Sequence, residues 1–236
     1  MPPKAIPYVK ALTHLLLLLP LVSLLEAYRS GALANQSDPV NYVTHFTGNW
    51  ALWILLGGLA ITPVRRMSQS LAFLVRFRRM IGLYAFFYAT LHLLTYVFLF
   101  SGYDVPTALA GLRAGHLAAP WQQLALIWPS MWDDVKKRAF IQVGLGVWVI
   151  LLLLAASSPL RVLRWMGGKN WQRLHRLVYL AGFGAVVHFW WIVKVGVRAP
   201  WKDTAVLWIL LVWRLVLAGQ KRWRKRRAVV TAPAGA

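Results

Sequence analysis

His92 and His188 are the residues of this chain best suited to hold a metal-containing cofactor. Each lies deep in a long apolar run, His92 thirteen residues after Arg79 and His188 twelve after Arg176. If both runs are helices that start on the same side of a membrane, a rise of about 1.5 Å per residue places both imidazoles about 18–20 Å from that side. Two histidines at matched depth on separate helices suit ligation of one haem iron from opposite faces. The alternative is two independent histidines, each bonded to backbone or serine.

His175 is a third candidate, for a second haem or an auxiliary site. It precedes His188 by thirteen residues, which places it about 20 Å nearer the basic end of the same run. On a straight helix thirteen steps turn the two side chains roughly 220° apart, so stacked cofactors require tilt, a local distortion or approach from different faces. The matching depth on the earlier run holds Arg79, beside Arg78 and Met80. Arginine binds a propionate or phosphate rather than iron.

A second haem therefore lacks an obvious second histidine. His14, near the same end of the first apolar run, and Met80 are the substitutes, although His14 is expected to hydrogen-bond a neighbouring helix. His45 and His116 lie between the runs and are interpreted as ordinary polar residues.

The composition points to a membrane protein rather than to a soluble enzyme. Of the 236 residues 59% are hydrophobic and 14% are charged, whereas about 25% are charged in an average soluble protein. The net charge is +21, and the basic residues flank the apolar runs. This arrangement argues for membrane topology and against nucleic acid as a partner. With no cysteine, thiolate metal sites and iron–sulfur clusters are excluded. Redox or metal chemistry must rest on histidine and a bound cofactor.

Six apolar runs predict an all-α membrane protein, a six-helix bundle that holds a haem between its third and fifth helices. A bilayer core needs about 20 apolar residues per helix, and the runs cover 11–27, 46–63, 80–100, 139–156, 175–193 and 203–219. Pro63 and the turn at 157–159 are expected to end the second and fourth runs. The chain, 1–236, is then one transmembrane domain with a basic tail at 220–236, no repeat of fixed period and no separate nucleotide-binding fold.

The distribution of charge predicts that both termini are cytoplasmic. Lys and Arg are retained on the cytoplasmic side, and this orientation places 19 of the 27 basic residues inside and all six acidic residues outside. A second interpretation of the first run is a secretory signal with a cleavage site near 32–34, although Glu26 and Arg29 interrupt the stretch. The outer segment 105–135 contains an amphipathic piece at 119–132 that lies on the surface and could receive a partner.

Six ordered motifs together resemble one family of membrane proteins. They are TGNWAL at 47–52, ITPVRR at 61–66, RRMIGL at 78–83, ATLH at 89–92, WQRLHRLVY at 171–179 and HFWWIVK at 188–194. These motifs resemble those of the MsrQ family, formerly YedZ, in the ferric-reductase-like transmembrane superfamily. The likeness covers about residues 10–220. No single motif carries it.

The resemblance implies an inner-membrane b-type cytochrome with His92, His175 and His188 at the family's haem-associated positions. It implies one haem b, with a second left open, and FMN as a further cofactor, for which the sequence contains no motif of its own. Candidate contacts to a cofactor phosphate or propionate are Arg78, Arg79, Arg173 and Arg176. Arginines at inner helix ends are also ordinary topology signals. Compared with the wider superfamily, the third run lacks a second histidine and the 105–135 segment looks longer.

The resemblance also implies partners. The electron acceptor is a periplasmic molybdopterin methionine sulfoxide reductase, MsrP, which reduces oxidised methionine in envelope proteins. Electrons come from a cytoplasmic flavin reductase or from the quinone pool.

Transmembrane electron transfer is therefore the expected function, from an entry near His175 through a haem at His92 and His188 to an acceptor outside. The chain is then an electron-transfer subunit and not itself the catalyst of sulfoxide reduction. Because the predicted orientation places all six acidic residues on the outer side, no acidic proton relay lies within the membrane, and obligatory proton pumping is not expected. Two other hypotheses are a small histidine-lined transporter or channel and a structural membrane anchor without redox activity. Neither explains the matched depth of the two histidines.

Overall fold

A computed structural model describes residues 5–193 and 199–230 of the chain, and every regular element in those ranges is helical. The helices are α1 (Ile6–Arg29), α2 (Pro39–Met67), α3 (Arg78–Thr95), α4 (Val105–Arg113), α5 (Ala119–Lys137), α6 (Ala139–Ala156), α7 (Leu160–Met166), α8 (Gly168–Leu174), α9 (Leu177–Ile192) and α10 (Trp201–Val230). A 3₁₀ segment, Gln69–Phe77, leads into α3, and a π-helical turn, Tyr96–Phe100, follows it.

Some of the sequence-based expectations concern positions that these ranges leave out. Lys4, Lys194, Arg198 and residues 231–236 of the basic tail lie outside the described residues. Between 221 and 230 the backbone is described, together with the side chain of Trp223.

Within the described residues, five helical stretches are long and apolar enough to cross a membrane. They are Ile6–Arg29, Pro39–Met67, Gln69–Phe100, Ala139–Ala156 and Trp201–Gln220. The fifth predicted run corresponds to α9, which has 16 residues as a helix and is short for a span, since about 20 residues are needed. The structure thus confirms an all-helical chain with several candidate spans, and it supports five of the six predicted ones.

The prediction that Pro63 ends the second helix is wrong, because α2 continues to Met67. A proline inside a helix has no N–H to donate and leaves the carbonyl four residues earlier without its usual partner. Here that carbonyl belongs to Leu59, and it accepts a hydrogen bond from the guanidinium of Arg214 on α10. A side chain from a neighbouring helix thus satisfies the group that the proline leaves free, as helices in an apolar environment require.

The prediction that the fifth helix begins at His175 is also corrected by the structure. α8 ends at Leu174, and α9 begins at Leu177, so His175 and Arg176 lie in a break between two helices. The angular argument for a straight helix therefore does not apply to His175. Among helix tilt, a local distortion and approach from different faces, the structure shows a local distortion, which is the break between α8 and α9.

α2 lies at the centre of the bundle. One face packs Leu52, Leu56 and Leu59 against α9 and α10, and another packs Ile54 and Leu55 against α3, α6 and α9. α1 is peripheral, with most of its leucines exposed. It is held to α3 by the Tyr88 hydroxyl, which donates to the Leu17 carbonyl at 2.7 Å.

The predicted outer segment folds as α4 and α5, so its amphipathic piece at 119–132 is helical. The end of α5 carries three ion pairs, in which Asp133 contacts Lys136 and Lys137 and Asp134 contacts Arg138. Three of the basic residues assigned to the outer side are therefore paired with two neighbouring carboxylates.

Candidate cofactor site

The structure brings His92 of α3 and His188 of α9 together inside the bundle. Their ring centroids lie 6.0 Å apart, and their planes cross at 82°. A metal–imidazole bond is about 2.0–2.1 Å long, so two imidazoles on opposite sides of one metal have centroids roughly 6 Å apart. The observed spacing is therefore compatible with a shared metal ion.

His92 is oriented by the backbone of α2. Its Nδ1 lies 2.9 Å from the carbonyl oxygen of Thr44. Because a carbonyl only accepts, Nδ1 carries the proton, and the lone pair is on Nε2. A Cβ on Gly48, one helical turn after Thr44, would stand 3.1 Å from the ring, so the glycine is what lets the imidazole reach that carbonyl.

His188 is oriented in the same way by α6. Its Nδ1 lies 2.7 Å from the carbonyl oxygen of Phe140, so Nδ1 again donates and Nε2 again carries the lone pair. A Cβ on Gly144, one turn after Phe140, would stand 2.7 Å from Cε1 of the ring. This site has less space for a side chain than the site at Gly48.

The carbonyl and the glycine that hold a histidine ring in place are called here its seat, which is Thr44 and Gly48 for His92 and Phe140 and Gly144 for His188. The two seats share one spacing along the chain. The carbonyl precedes its histidine by 48 residues in both cases, and the glycine precedes it by 44. A hydrogen bond from Trp148 Nε1 on α6 to Thr90 Oγ1 on α3, at 3.1 Å, links the two helix pairs. The α2–α3 and α6–α9 pairs therefore hold their histidines by the same local arrangement of a backbone carbonyl and a glycine.

This chemistry fits a cofactor that brings its own metal ligands. Among residues 5–193 and 199–230, no three histidine or acidic side chains cluster closely enough to hold a metal ion by themselves. Two imidazoles, each with Nδ1 bound to a carbonyl, match the usual outer-shell support of a metal-binding histidine. A haem needs only these two nitrogens, because its porphyrin supplies the remaining ligands.

His175 is not paired with another histidine in the structure. Its ring stacks on Trp171 with centroids 3.8 Å apart, and its Nε2 is hydrogen-bonded to Ser157 Oγ at 3.1 Å. Trp171 in turn donates from Nε1 to the Ser157 carbonyl at 2.9 Å. Arg78 lies within electrostatic reach of His175. The site is an aromatic and hydrogen-bonded pocket beside a cation.

The proposed substitutes for a second ligand lie elsewhere. His14 Nδ1 is hydrogen-bonded to the Tyr84 hydroxyl at 2.9 Å, which confirms that His14 bonds to a neighbouring helix. Met80 and His14 both line a cavity between α1 and α3. Of the histidines interpreted as ordinary polar residues, His45 lies beside the ring of Phe189 and His116 is exposed.

The four candidate arginines do not form one cluster around the paired histidines. Arg78 opens α3 near His175, and Arg79 lines the cavity between α1 and α3. Arg173, in the last turn of α8, and Arg176, in the break after it, are both exposed. Near His175, Arg78 is thus the best placed of the four for an anionic group.

Sequence reasoning missed Arg214, which it counted only among the 19 basic residues of the cytoplasmic side. Besides the Leu59 carbonyl, this guanidinium hydrogen-bonds the Tyr179 hydroxyl and lies over the Tyr179 ring, 4.6 Å from its centroid. Arg66 and Arg78 are near enough to repel this guanidinium electrostatically. The signal in the sequence was Pro63, since a proline inside a spanning helix leaves a carbonyl that some other residue must satisfy.

The comparisons with known proteins agree with a multi-pass membrane protein. The family described as ferric reductase like transmembrane component matches residues 47–186. The matched range contains His92 and His175 and ends two residues before His188. The chain is therefore a ferric-reductase-like transmembrane protein.

Relatives from three bacteria narrow this assignment, and each is called the protein-methionine-sulfoxide reductase heme-binding subunit MsrQ. The protein of Xanthomonas axonopodis pv. citri is 38% identical over 93% of this chain and 88% of its own length. The protein of Xanthomonas campestris pv. campestris is 40% identical over 79% of this chain and 74% of its own length. The protein of Ralstonia nicotianae is 37% identical over 94% of this chain and 88% of its own length. The chain belongs to the MsrQ family. No solved structure matches it.

Proposed function

We propose that this chain is the b-type cytochrome subunit that passes electrons across the bacterial inner membrane to a periplasmic methionine sulfoxide reductase of the MsrP type. The observation that carries the proposal is the facing pair of imidazoles, His92 and His188, each with its Nδ1 on a backbone carbonyl. The names of the relatives, which describe a heme-binding subunit of such a reductase, agree with it.

The protein contributes ligation, orientation and a dry setting. The carbonyls of Thr44 and Phe140 keep the proton on Nδ1 of each histidine, so that both Nε2 atoms stay available to iron. Haem, when bound, supplies the one-electron chemistry, and the surrounding helices keep water away and tune its potential. The chain needs no bond-making chemistry of its own, and MsrP remains the catalyst of sulfoxide reduction.

Electrons are proposed to enter on the side that carries His175. Arg78 beside it, with Arg173 at the end of α8 and Arg176 in the break after that helix, offers positive charge for a propionate or for the phosphate of FMN. A cytoplasmic flavin reductase or the quinone pool would be the donor. Ser157 occupies Nε2 of His175, so we propose a single haem b, with His175 as an auxiliary residue of the entry side.

The proposed topology has six spans with both termini in the cytoplasm, and residues 175–193, which contain α9, form the fifth. The chain has no cysteine, so single cysteines report on sidedness without background. A membrane-impermeant maleimide applied to right-side-out spheroplasts should label Ser37→Cys and His116→Cys and leave Ser70→Cys and Lys169→Cys unlabelled until the cells are opened. The reverse pattern would reject the orientation.

The decisive experiment is a set of absorption spectra of the full-length protein in mild detergent, oxidised and dithionite-reduced, with a pyridine haemochrome count. Wild type should show a b-type spectrum and about one haem per chain. His92→Ala and His188→Ala should lose the haem, because each removes an axial nitrogen. His175→Ala should keep most of it, and His116→Ala, a change of the same type at an exposed histidine, should match wild type.

The other outcomes separate the rival functions. A colourless wild type after expression with ample haem would exclude the cytochrome, and ion or solute flux through liposomes would then support a histidine-lined transporter or channel. A coloured protein that binds MsrP but is not required for its reduction in membranes would support a structural anchor. Loss of half the haem in His175→Ala would show a second haem at that level.

A further inference from the structure

A cavity of about 540 Å³ separates α1 from the basic end of α3. Lys10, His14 and Leu18 line it from α1 at intervals of four residues, which is one face of a helix. Its other wall is formed by Arg76, Arg79, Met80, Leu83, Tyr84 and Phe87. Positive charge lies at the end where α1 and α3 begin, and aliphatic and aromatic side chains line the part along the helices.

The three cations of this cavity have no carboxylate partner. The acidic residues of the whole sequence are Glu26, Asp38, Asp104, Asp133, Asp134 and Asp203. Lys10 and Arg76 are far along the chain from all of these, and the ion pairs found in the described ranges involve only Asp133 and Asp134, at the end of α5. Lys10, Arg76 and Arg79 are exposed and are therefore available to pair with an anionic group of another molecule.

The cavity also interrupts the packing of α1. This helix is fastened to α3 by two polar contacts, His14 to Tyr84 and Tyr88 to the Leu17 carbonyl. Leu12, Leu15, Leu16 and Leu19 around them are exposed. A ligand with an anionic head and an apolar body would fill the space and add the contacts that the protein lacks.

We infer that this cavity binds the phosphate head of an acidic phospholipid and seats that lipid between α1 and the rest of the bundle. Lys10, Arg76 and Arg79 contact the phosphodiester, and acyl chains run along Leu18, Leu83 and Phe87. Basic pockets between membrane helices on the cytoplasmic side are typical sites for such head groups. Arginine and lysine donors make strong charge-assisted hydrogen bonds to phosphate oxygens. The inference does not depend on haem.

The test is native mass spectrometry of the full-length protein in mild detergent. The probes are phosphatidylglycerol and phosphatidylcholine with the same acyl chains, and glycerophosphoglycerol and inorganic phosphate as heads without chains. Wild type should hold one phosphatidylglycerol at least tenfold more tightly than phosphatidylcholine. The double variant Lys10→Gln/Arg76→Gln should bind phosphatidylglycerol about 20- to 30-fold more weakly than wild type, because each basic group near the membrane surface contributes about 1 kcal/mol.

The matched control removes the same two charges elsewhere. Arg164→Gln/Lys169→Gln changes one arginine and one lysine on α7 and α8, outside the cavity, and should leave affinity within twofold of wild type. Equal retention of phosphatidylglycerol by the cavity variant and wild type would overturn the inference. So would binding of inorganic phosphate or glycerophosphoglycerol as tight as that of the whole lipid, since the site would then belong to a water-soluble anion.

Discussion

The α2–α3 and α6–α9 helix pairs seat their histidines alike but with different side chains around them. In the first pair the carbonyl belongs to Thr44, and in the second to Phe140, whose ring lies 6.3 Å from that of His188. What the pairs share is a backbone carbonyl and, one turn later, a glycine. The seat depends on the absence of a side chain, so neighbouring residues are free to differ, and only the glycine and the histidine are the same in both pairs.

The pairs also differ in how closely their helices approach. A Cβ on Gly144 would stand 2.7 Å from the His188 ring, and one on Gly184 2.7 Å from Val147, so α6 and α9 are in close contact at two levels. On α2, a Cβ on Gly48 would stand 3.1 Å from His92. Small residues at a helix interface permit such close packing. The α6–α9 pair is therefore the less tolerant of the two, and substitutions can test that difference.

The largest effect is expected from Gly144→Ala. Its methyl group cannot coexist with the His188 ring as placed, and overpacking of this kind costs about 1–3 kcal/mol. Haem affinity should fall roughly tenfold or more, measured as haem per chain after purification. Gly146→Ala, on the same helix with open space at its Cβ, is the control. Full haem content in Gly144→Ala would show that His188 does not need this seat.

Arg214→Leu tests a difference at the basic ends of the two pairs, where α2 contains Pro63 and α6 has no internal proline. The Leu59 carbonyl would lose its donor, and a buried group without a partner costs about 1–3 kcal/mol. Thermal unfolding in detergent should reflect that loss, whereas Arg161→Leu on α7 should unfold like wild type.

A double-mutant cycle with Pro63→Ala identifies the cause. Alanine restores the N–H that can bond to the Leu59 carbonyl, so Arg214→Leu should cost less in the Pro63→Ala background. Simple additivity of the two changes would mean that Arg214 acts through Tyr179 alone.

Gly48→Ala should have a milder effect than Gly144→Ala. The His92 ring has to shift by a few tenths of an ångström, so the protein should keep its haem but change the geometry of one axial ligand. The expected signs are shifted low-spin EPR signals and a changed midpoint potential, since ligand orientation tunes both. Gly57→Ala, also on α2 and in open space, serves as its control. If Gly48→Ala loses as much haem as Gly144→Ala, the two seats are equally strict.

The smallest effect is expected from Ser157→Ala. This change removes the hydrogen bond to His175 Nε2, which is worth about 0.5–1.5 kcal/mol, and leaves both histidine seats unchanged. The haem count and the reduced spectrum should equal those of wild type. A drop in haem count would contradict the assignment of His175 to an auxiliary role.

Much of the fold could be predicted because apolar length and the positions of charges are local properties of the chain. They predicted five runs that correspond to helices long and apolar enough to cross a membrane. Helix ends were less predictable. Pro63 could be retained inside α2 only because Arg214, 151 residues later, lies beside the Leu59 carbonyl. The break at His175, with Trp171 and Ser157 around the ring, likewise depends on contacts between separate helices.

By itself the sequence determined that this is a helical membrane protein, that its family is MsrQ, and that histidines are its available metal ligands. Tertiary structure decided which histidines meet and how they are held. The 82° angle between the rings depends on the positions of two carbonyls and two glycines on neighbouring helices. Such positions follow from how helices pack against each other, which neither residue type nor spacing along one helix specifies.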